Sequence, residues 1–564
     1  MKHLFLLFFL CLQVLFANPL LVLFKGNKQI KERELYEALS LSKPYFYEFW
    51  KEEPVINSKA VPLLTQSVED FYKSRGYFDA EISSKIENAR LTIIIEENPP
   101  ILVANVSVVS ELNISKNIPF SAGSVFDAQK FSQSKKEINF FYHNLGYCNA
   151  NLQAKAWIDI ETNLAYLYYE TQQNKLCYFG KITLNSTPNI DKEIVKSFLY
   201  IQEGEPYSLE QIEQSYKSLY AQEGITKAII DTTTLDCSSV KVYVQVDESQ
   251  KPIRSLVGLG LSSDEGVMGK IGVKHSNLFG NLKTLAFNTR VTQIKQTVEV
   301  DANVPLAGHN SVGSKIGFEN EDFFGYKERN LFANLLLKQR GVKHSFEEGI
   351  ILDYSDTYES DDTFSFPENA LFVASFFLEW GVDTRNKILE PTRGYFVRAN
   401  IMGSLESKIS DATYYKFNLN GGYIFSLEKS IIAFKAKYGS LNLLKGEVPL
   451  SYRYYAGGMY SNRAYAYRKL GPTNSLGDPV GSDSIVETTL EYRFPIYKNM
   501  RGVAFNDNTF INDNFVPGFD KMYSSLGVGL RYQTPIGPLA IDFGFDVENP
   551  KEEYAFHFHI GEVF

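Results

Sequence analysis

The chain has 564 residues, and its 57 Lys and Arg set against 66 Asp and Glu leave a formal net charge of −9. That mild acidity argues against a nucleic-acid partner, while 42 Phe and 35 Tyr suit strands and aromatic girdles at a membrane interface. Past the amino-terminal segment no run approaches the roughly 20 apolar residues of a spanning helix, so any membrane insertion must be by strands.

Lys2 and His3 precede an apolar run from Leu4 through Phe16. The run is too short for a transmembrane helix and reads as a signal peptide over residues 1–17, with Ala17 the last residue before cleavage. Cys11 sits behind bulky Leu10, which sets aside a lipoprotein anchor, because acylated cysteines follow small residues. Export leads to an oxidising compartment in which Cys148, Cys177 and Cys237 remain. Three thiols allow one internal bridge. Cys148 with Cys177 is the better pair because both flank one expected hairpin, and three buried free thiols are the alternative.

From there to about Glu248 helical and strand patterns mix, and one unit recurs: a short strand, helical segments, a Gly turn, then two strands. In the first copy Val68 to Arg75 reads as helix, Gly76-Tyr77-Phe78 as its exit, and Asp79 to Ile86 with Leu91 to Glu96 as a hairpin. In the second, helix Phe131 to His143 exits at Gly146-Tyr147 into strands Cys148 to Ile158 and Leu164 to Thr171. In the third, helix Leu209 to Gln222 exits at Gly224 into strands Lys227 to Thr232 and Val240 to Asp247. Each glycine is expected in a left-handed carboxyl cap.

After Lys251-Pro252 the chain is almost entirely strand-like, long enough for about sixteen strands of ten residues plus turns. Val298, Val300, Ala302 and Val304 alternate with Glu299, Asp301 and Asn303. Ile432, Phe434, Ala436 and Tyr438 alternate with Lys435 and Lys437, and Val486, Leu490, Tyr492 and Phe494 with Glu487, Glu491 and Arg493. A side-chain period of two lets one face meet lipid and the other a polar lumen. The tail repeats the pattern, with Phe556, Phe558, Ile560 and Phe564 on one face and His557 and His559 on the other, read as two solvated lumen residues. None of His3, His143, His275, His309, His344, His557 or His559 lies in a Gly-x-Ser-x-Gly or His-Glu-x-x-His setting, and no Gly-rich phosphate loop occurs. The expectation is a protein that is not an enzyme and uses no cofactor, metal or nucleotide.

Two resemblances follow. Arg75-Gly76-Tyr77-Phe78, then Ile93 to Glu97 just before Ile101 to Val106, resembles the polypeptide-transport-associated (POTRA) repeat, as do Tyr178 to Ile182 and Val242 to Val246 in the third copy. This implies about three α+β repeats at 18–98, 99–176 and 177–250, standing in the periplasm. Such repeats offer sheet edges to extended client segments by β-augmentation, or act as spacers. The stretch Asn442 to Asp483 is loop-like and contains Tyr455-Ala-Gly457-Gly458-Met-Tyr-Ser-Asn-Arg463-Ala-Tyr465 and Leu470-Gly471-Pro472. It resembles the sixth extracellular loop of the BamA/TamA superfamily of outer-membrane assembly barrels. Leu490 to Ile496, Gly502 to Asp507, Gly527 to Tyr532 and Gly537 to Gly544 match the family in order.

The resemblance implies an all-β transmembrane barrel of 16 antiparallel strands over 251–564 in the outer membrane of a Gram-negative bacterium. Inside it Arg463, with Tyr465 as the motif aromatic, pairs with Asp507, and Glu491 is a second candidate. The family glycine between them is Ala464 here, a departure that bears on the tip's conformation because Gly permits positive φ and Ala resists it. The first barrel strand is Arg254 to Leu261, followed by the similar segment Ser276 to Asn281. Its Gly258 and Gly260, beside Val257, leave few packing contacts, so its seam with the strand carrying Phe558, Ile560 and Phe564 is expected to be weak.

Three repeats fit the TamA branch better than BamA, and Asn18 to Phe24 leads directly into the first repeat with no room for a plug helix. That branch implies unfolded barrel or autotransporter clients, the outer-membrane lipid bilayer and a TamB-like partner anchored in the inner membrane. The rival functions are a two-partner-secretion-type polypeptide transporter and lipid transport or homeostasis across the envelope.

Overall fold

A computed structural model describes residues 19–41, 43, 53–234, 238–341, 343–388, 390–427, 430–497, 499–534 and 537–560. The expected signal peptide, Cys237 and Phe564 lie outside these residues.

The first repeat builds a sheet in the order Val55–Asn57, Pro19–Lys25, Arg90–Glu96, Glu81–Glu87, its central pair parallel. Helix Val61–Ser74 lays Leu64, Val68 and Tyr72 on Leu91, Ile93 and Ile95. It begins a turn and more before Val68, because proline at its start is tolerated where N–H groups have no intrahelical partner. The Tyr72 hydroxyl donates to buried Glu97, whose carboxylate also accepts the Gln29 and Ile30 N–H groups. Burial and that carboxylate push the hydroxyl well above the usual phenol range.

The second repeat orders its strands Leu102–Val109, Leu164–Gln172, Asn151–Asp159, with helix Ala128–Asn144 across them. Asp127 caps that helix by accepting the Lys130 N–H at 2.9 Å, which is why it starts before Phe131. Cys148 and Cys177 form a disulfide, resolving the alternatives left open by the sequence. The third repeat orders Tyr178–Ser186, Ser239–Glu248, Ile225–Thr234.

The helix-exit glycines share one task. The Gly76, Gly146 and Gly224 carbonyls accept from Ile101, Cys177 and Ser249, so each hands the chain to the segment that follows its repeat. Gly76 and Gly146 adopt φ of +92° and +99°. Gly224 does not, which corrects the expectation of three left-handed caps. Its glycine is required by close approach, because a Cβ there would lie 2.8 Å from the Ser276 carbonyl oxygen.

The strands from Ile253–Ser262 to Tyr554–Ile560 form one sixteen-stranded antiparallel sheet in chain order. Val298, Val300 and Val304 are exposed on the outer face, while Glu299 and Asp301 both pair with Lys315 on the inner one. Leu490 and Tyr492 are likewise exposed, and Glu491 and Arg493 are buried. No helix among the described residues is long and apolar enough to cross a membrane, which says nothing against crossing by strands. Strand Ser430–Gly446 runs through Asn442 to Gly446, so the loop begins at Glu447, five residues later than expected, and reaches Asp483.

Candidate functional site

After Gly446 the chain turns inward and builds its own scaffold. Isolated bridges pair Tyr454 with Ser482, Ala456 with Leu470, and Thr473 with Pro479. Gly457, Gly458 and Gly471 hold φ of +97°, +100° and +138°. At Gly457 a Cβ would also strike the Ala466 carbonyl oxygen at 2.4 Å, so both conformation and space require glycine there. Pro472 closes the return, its carbonyl accepting the Val480 N–H at 3.0 Å. Ala464 adopts no positive φ: the turn closes through Tyr465 N–H to the Asn462 carbonyl and Ala464 N–H to Asn462 Oδ1. The departure from glycine therefore costs this tip no backbone strain.

Arg463, at the end of that scaffold, is wholly buried. Its Nε donates to Asp507 Oδ2 at 2.8 Å and its Nη2 to Oδ1 at 2.9 Å, a bidentate pair. Its Nη1 donates to Glu491 Oε1 at 2.6 Å and reaches Asp542 Oδ2 at 3.4 Å. Two further arginines complete the cluster: Arg531 forks onto Asp542 at 2.6 and 2.9 Å, and Arg493 donates to Glu491 at 2.9 Å. Three guanidinium groups thus meet three carboxylates with almost no water-facing surface. Charges removed from water at this cost are tolerated only when paired in good geometry, so the cluster fixes the loop tip at one depth and one rotation. The Arg463 guanidinium also lies 3.5 Å from the centre of the Phe505 ring. Tyr465 sits beside the cluster, its hydroxyl donating to Asp546 Oδ2 at 2.7 Å.

The wall has been thinned to receive the tip. At Gly544 a Cβ would lie 2.3 Å from the Arg463 carbonyl oxygen, and at Gly527 one would lie 2.1 Å from the Phe505 ring. The five carboxylate and arginine positions of the wall come from four strands, Ser484–Tyr497, Met500–Asn512, Tyr523–Thr534 and Gly537–Asp546, which are consecutive neighbours. Arg463, Tyr465, Asp507 and Glu491 are thus gathered in one place, whereas Gly471 packs apart against Ile511. Asp542, Arg531, Arg493, Gly527 and Gly544 are given no role at the loop site by the sequence reading. Asp542 and Gly544 lie inside the matched segment 537–544, and Arg493 follows Glu491 on the same strand face, so those signals were present.

The barrel's two ends meet a few residues away. Among the described residues no ladder joins Ile253–Ser262 to Tyr554–Ile560. Contact is made just beyond the first strand, where the Ser263 N–H donates to the Phe558 carbonyl at 3.1 Å. Val257 and Leu259 are 75% and 86% exposed, and a Cβ on Gly258 would approach only the Lys270 side chain; among the described residues the first strand's ladder runs to its second-strand neighbour and to no other strand. Gly260 abuts the Met268 side chain, and Ile560 lines a cavity of about 200 Å³ with Gly260 and Leu261. His557 and His559 are both buried, which corrects their reading as solvated lumen residues: Ser263 and Asp264 cover the first, and the Tyr460 ring stands 5.6 Å from the second. Among the described residues no group of three His, Cys, Asp or Glu is arranged to hold a metal ion.

Comparison with known proteins gives a match of residues 277–564 to the Omp85 superfamily domain. Residues 21–98, 101–173 and 177–249 each match the POTRA model, described as the surface antigen variable number repeat. The outer membrane protein assembly factor BamA of Neisseria meningitidis serogroup B is 20% identical over 96% of this chain and 77% of its own length. Its counterpart in Nitratidesulfovibrio vulgaris is 21% identical over 96% and 72%. Among solved structures, BamA from Haemophilus ducreyi lacking POTRA domains 1–3 superposes with a TM-score of 0.56 at 19% identity, covering 82% of this chain and 99% of that one. CdiB from Acinetobacter baumannii gives 0.50 at 15%, covering 94% and 99%. At these identities the structural likeness is one of fold.

Proposed function

This chain belongs to the Omp85 superfamily, as an outer-membrane barrel with periplasmic POTRA repeats, and from that premise we propose that it assists the insertion of β-barrel or autotransporter proteins through its first and last strands. The observation that carries the reading is that, among the described residues, no ladder joins the first and last strands, while buried ion pairs cross-link the wall beside them. An unpaired strand edge offers backbone donors and acceptors to any extended segment with little demand on its sequence. The first strand presents such an edge, its outer residues exposed. The buried loop cluster stiffens the four strands preceding the last, so that parting is confined to the seam and the wall does not shear. Edges of the repeats receive clients by the same chemistry, and no nucleotide drives the step.

Three matched repeats are the number expected of the TamA branch, and a TamB-like partner anchored in the inner membrane belongs to that reading. Depleting the protein and quantifying outer-membrane proteins, secreted proteins and phospholipids tests it. Loss of several barrel proteins is expected. Disappearance of one secreted polypeptide from an otherwise intact membrane would favour a two-partner-secretion-type transporter, and a phospholipid shift with normal barrels would favour lipid transport.

A further inference from the structure

Asp264, in the turn after the first barrel strand, touches two other parts of the barrel. Its Oδ1 lies 3.3 Å from His557 Nδ1 on the last strand. Its Oδ2 accepts the Met459 N–H at 3.0 Å, from the loop tip. The carboxylate is 5% exposed, and the loop can approach it only because residue 458 is glycine: a Cβ there would lie 2.6 Å from Oδ2, on a backbone already at φ +100°. Ser263 adds a hydroxyl contact to the same His557 nitrogen at 3.1 Å. Tyr460, one residue beyond Met459, stands against His559, so the loop touches the barrel on both sides of the seam. The carboxylate opposite His557 in the ladder, Asp542, is committed to Arg531 and Arg463.

We infer that Asp264 is the positioning residue that couples the loop to the seam, so that the first and last strands part only when the Gly458–Tyr460 segment leaves it. The Arg463 cluster anchors the loop to the wall on the last-strand side, and Asp264 carries that anchorage across to the first strand. With no ladder between the strands among the described residues, this clasp is where an energetic link between lumen and seam can reside. The clasp matters for insertion only if the seam is the working edge, as proposed above, but its state can be read without any client.

The test uses the full mature chain in lipid nanodiscs, with Cys237→Ser and spin labels at Leu261→Cys and Ile560→Cys reporting the seam distance. Asp264→Ala and Gly458→Ala are each expected to raise the long-distance population several-fold. Tyr465→Phe, which removes the Asp546 bond without touching Asp264, is expected to leave it unchanged. Should Asp264→Ala fail to fold, Asp264→Asn and Gly458→Ala carry the test. Unchanged distances in the Asp264 and Gly458 variants would overturn the inference, as would an equal opening in Tyr465→Phe. Neither result would bear on whether the protein inserts clients.

Discussion

Arg463 is the residue on which the lumen depends. Removing its side chain leaves Asp507 and Glu491 buried beside one fewer cation, at a cost of about 3–5 kcal/mol. Arg463→Ala and Asp507→Ala should each lower the temperature at which the barrel loses its compact electrophoretic form, and the double variant should fall short of their sum because both remove one interaction. Additive losses would show that the two side chains act separately. Arg463 and Asp507 were legible because both sit in motifs that name them. Asp542 and Arg531 also lie inside matched segments, but their pairing was not legible, since which carboxylate faces which guanidinium depends on strand register, and register follows from packing rather than from either residue's neighbours in sequence. A second residue-scale outcome concerns pH. Burial pushes the His143 imidazole below its ordinary value, so the folded repeat resists protonation while the unfolded chain accepts it. Its contribution is complete above the unfolded value of about 6.5 and falls as pH drops below it. Chemical denaturation of the repeats at pH 7.5 and 5.5 should show that loss, and His143→Gln should reduce it.

Glycines do their work at the scale of the element. At Gly544 an added methyl meets loop backbone, which cannot rotate away as a side chain would. Gly544→Ala should therefore displace the Arg463 tip and lower barrel stability comparably to Arg463→Ala, whereas Gly258→Ala, whose added methyl would make only an ordinary contact with the Lys270 side chain, should be neutral in the same melting measurement. Gly224→Ala should loosen the turn at Ser276 with no conformational penalty of its own. Periodicity made the strands and the helix-exit glycines readable, and spacing suggested the Cys148–Cys177 pair. It could not distinguish Gly76 and Gly146, held by positive φ, from Gly224, held by the proximity of a carbonyl, because both constraints select the same residue. His557 and His559 read as solvated because alternation gives only the face of a strand, and what covers that face, Ser263 and Asp264 over His557 and Tyr460 beside His559, comes from far earlier in the chain.

For the whole molecule, the alternating strands and matched motifs made a sixteen-stranded barrel behind POTRA repeats legible, and they suggested a weak seam through Gly258 and Gly260. The asymmetry of that seam was hidden. Four strands preceding the last are cross-linked by buried charges, and the first strand leans on one neighbour and on the Ser263 and Asp264 contacts. On this account client insertion needs the two strands to separate. The most direct measurement locks them with a disulfide between Leu261→Cys and Ile560→Cys in a Cys237→Ser background and follows the insertion of an unfolded barrel client into vesicles. Oxidation should stop insertion and reductant should restore it, with the reduced parent protein showing how much of any change comes from opening the Cys148–Cys177 bridge. A fully locked barrel that inserts clients at the parent rate would contradict the account.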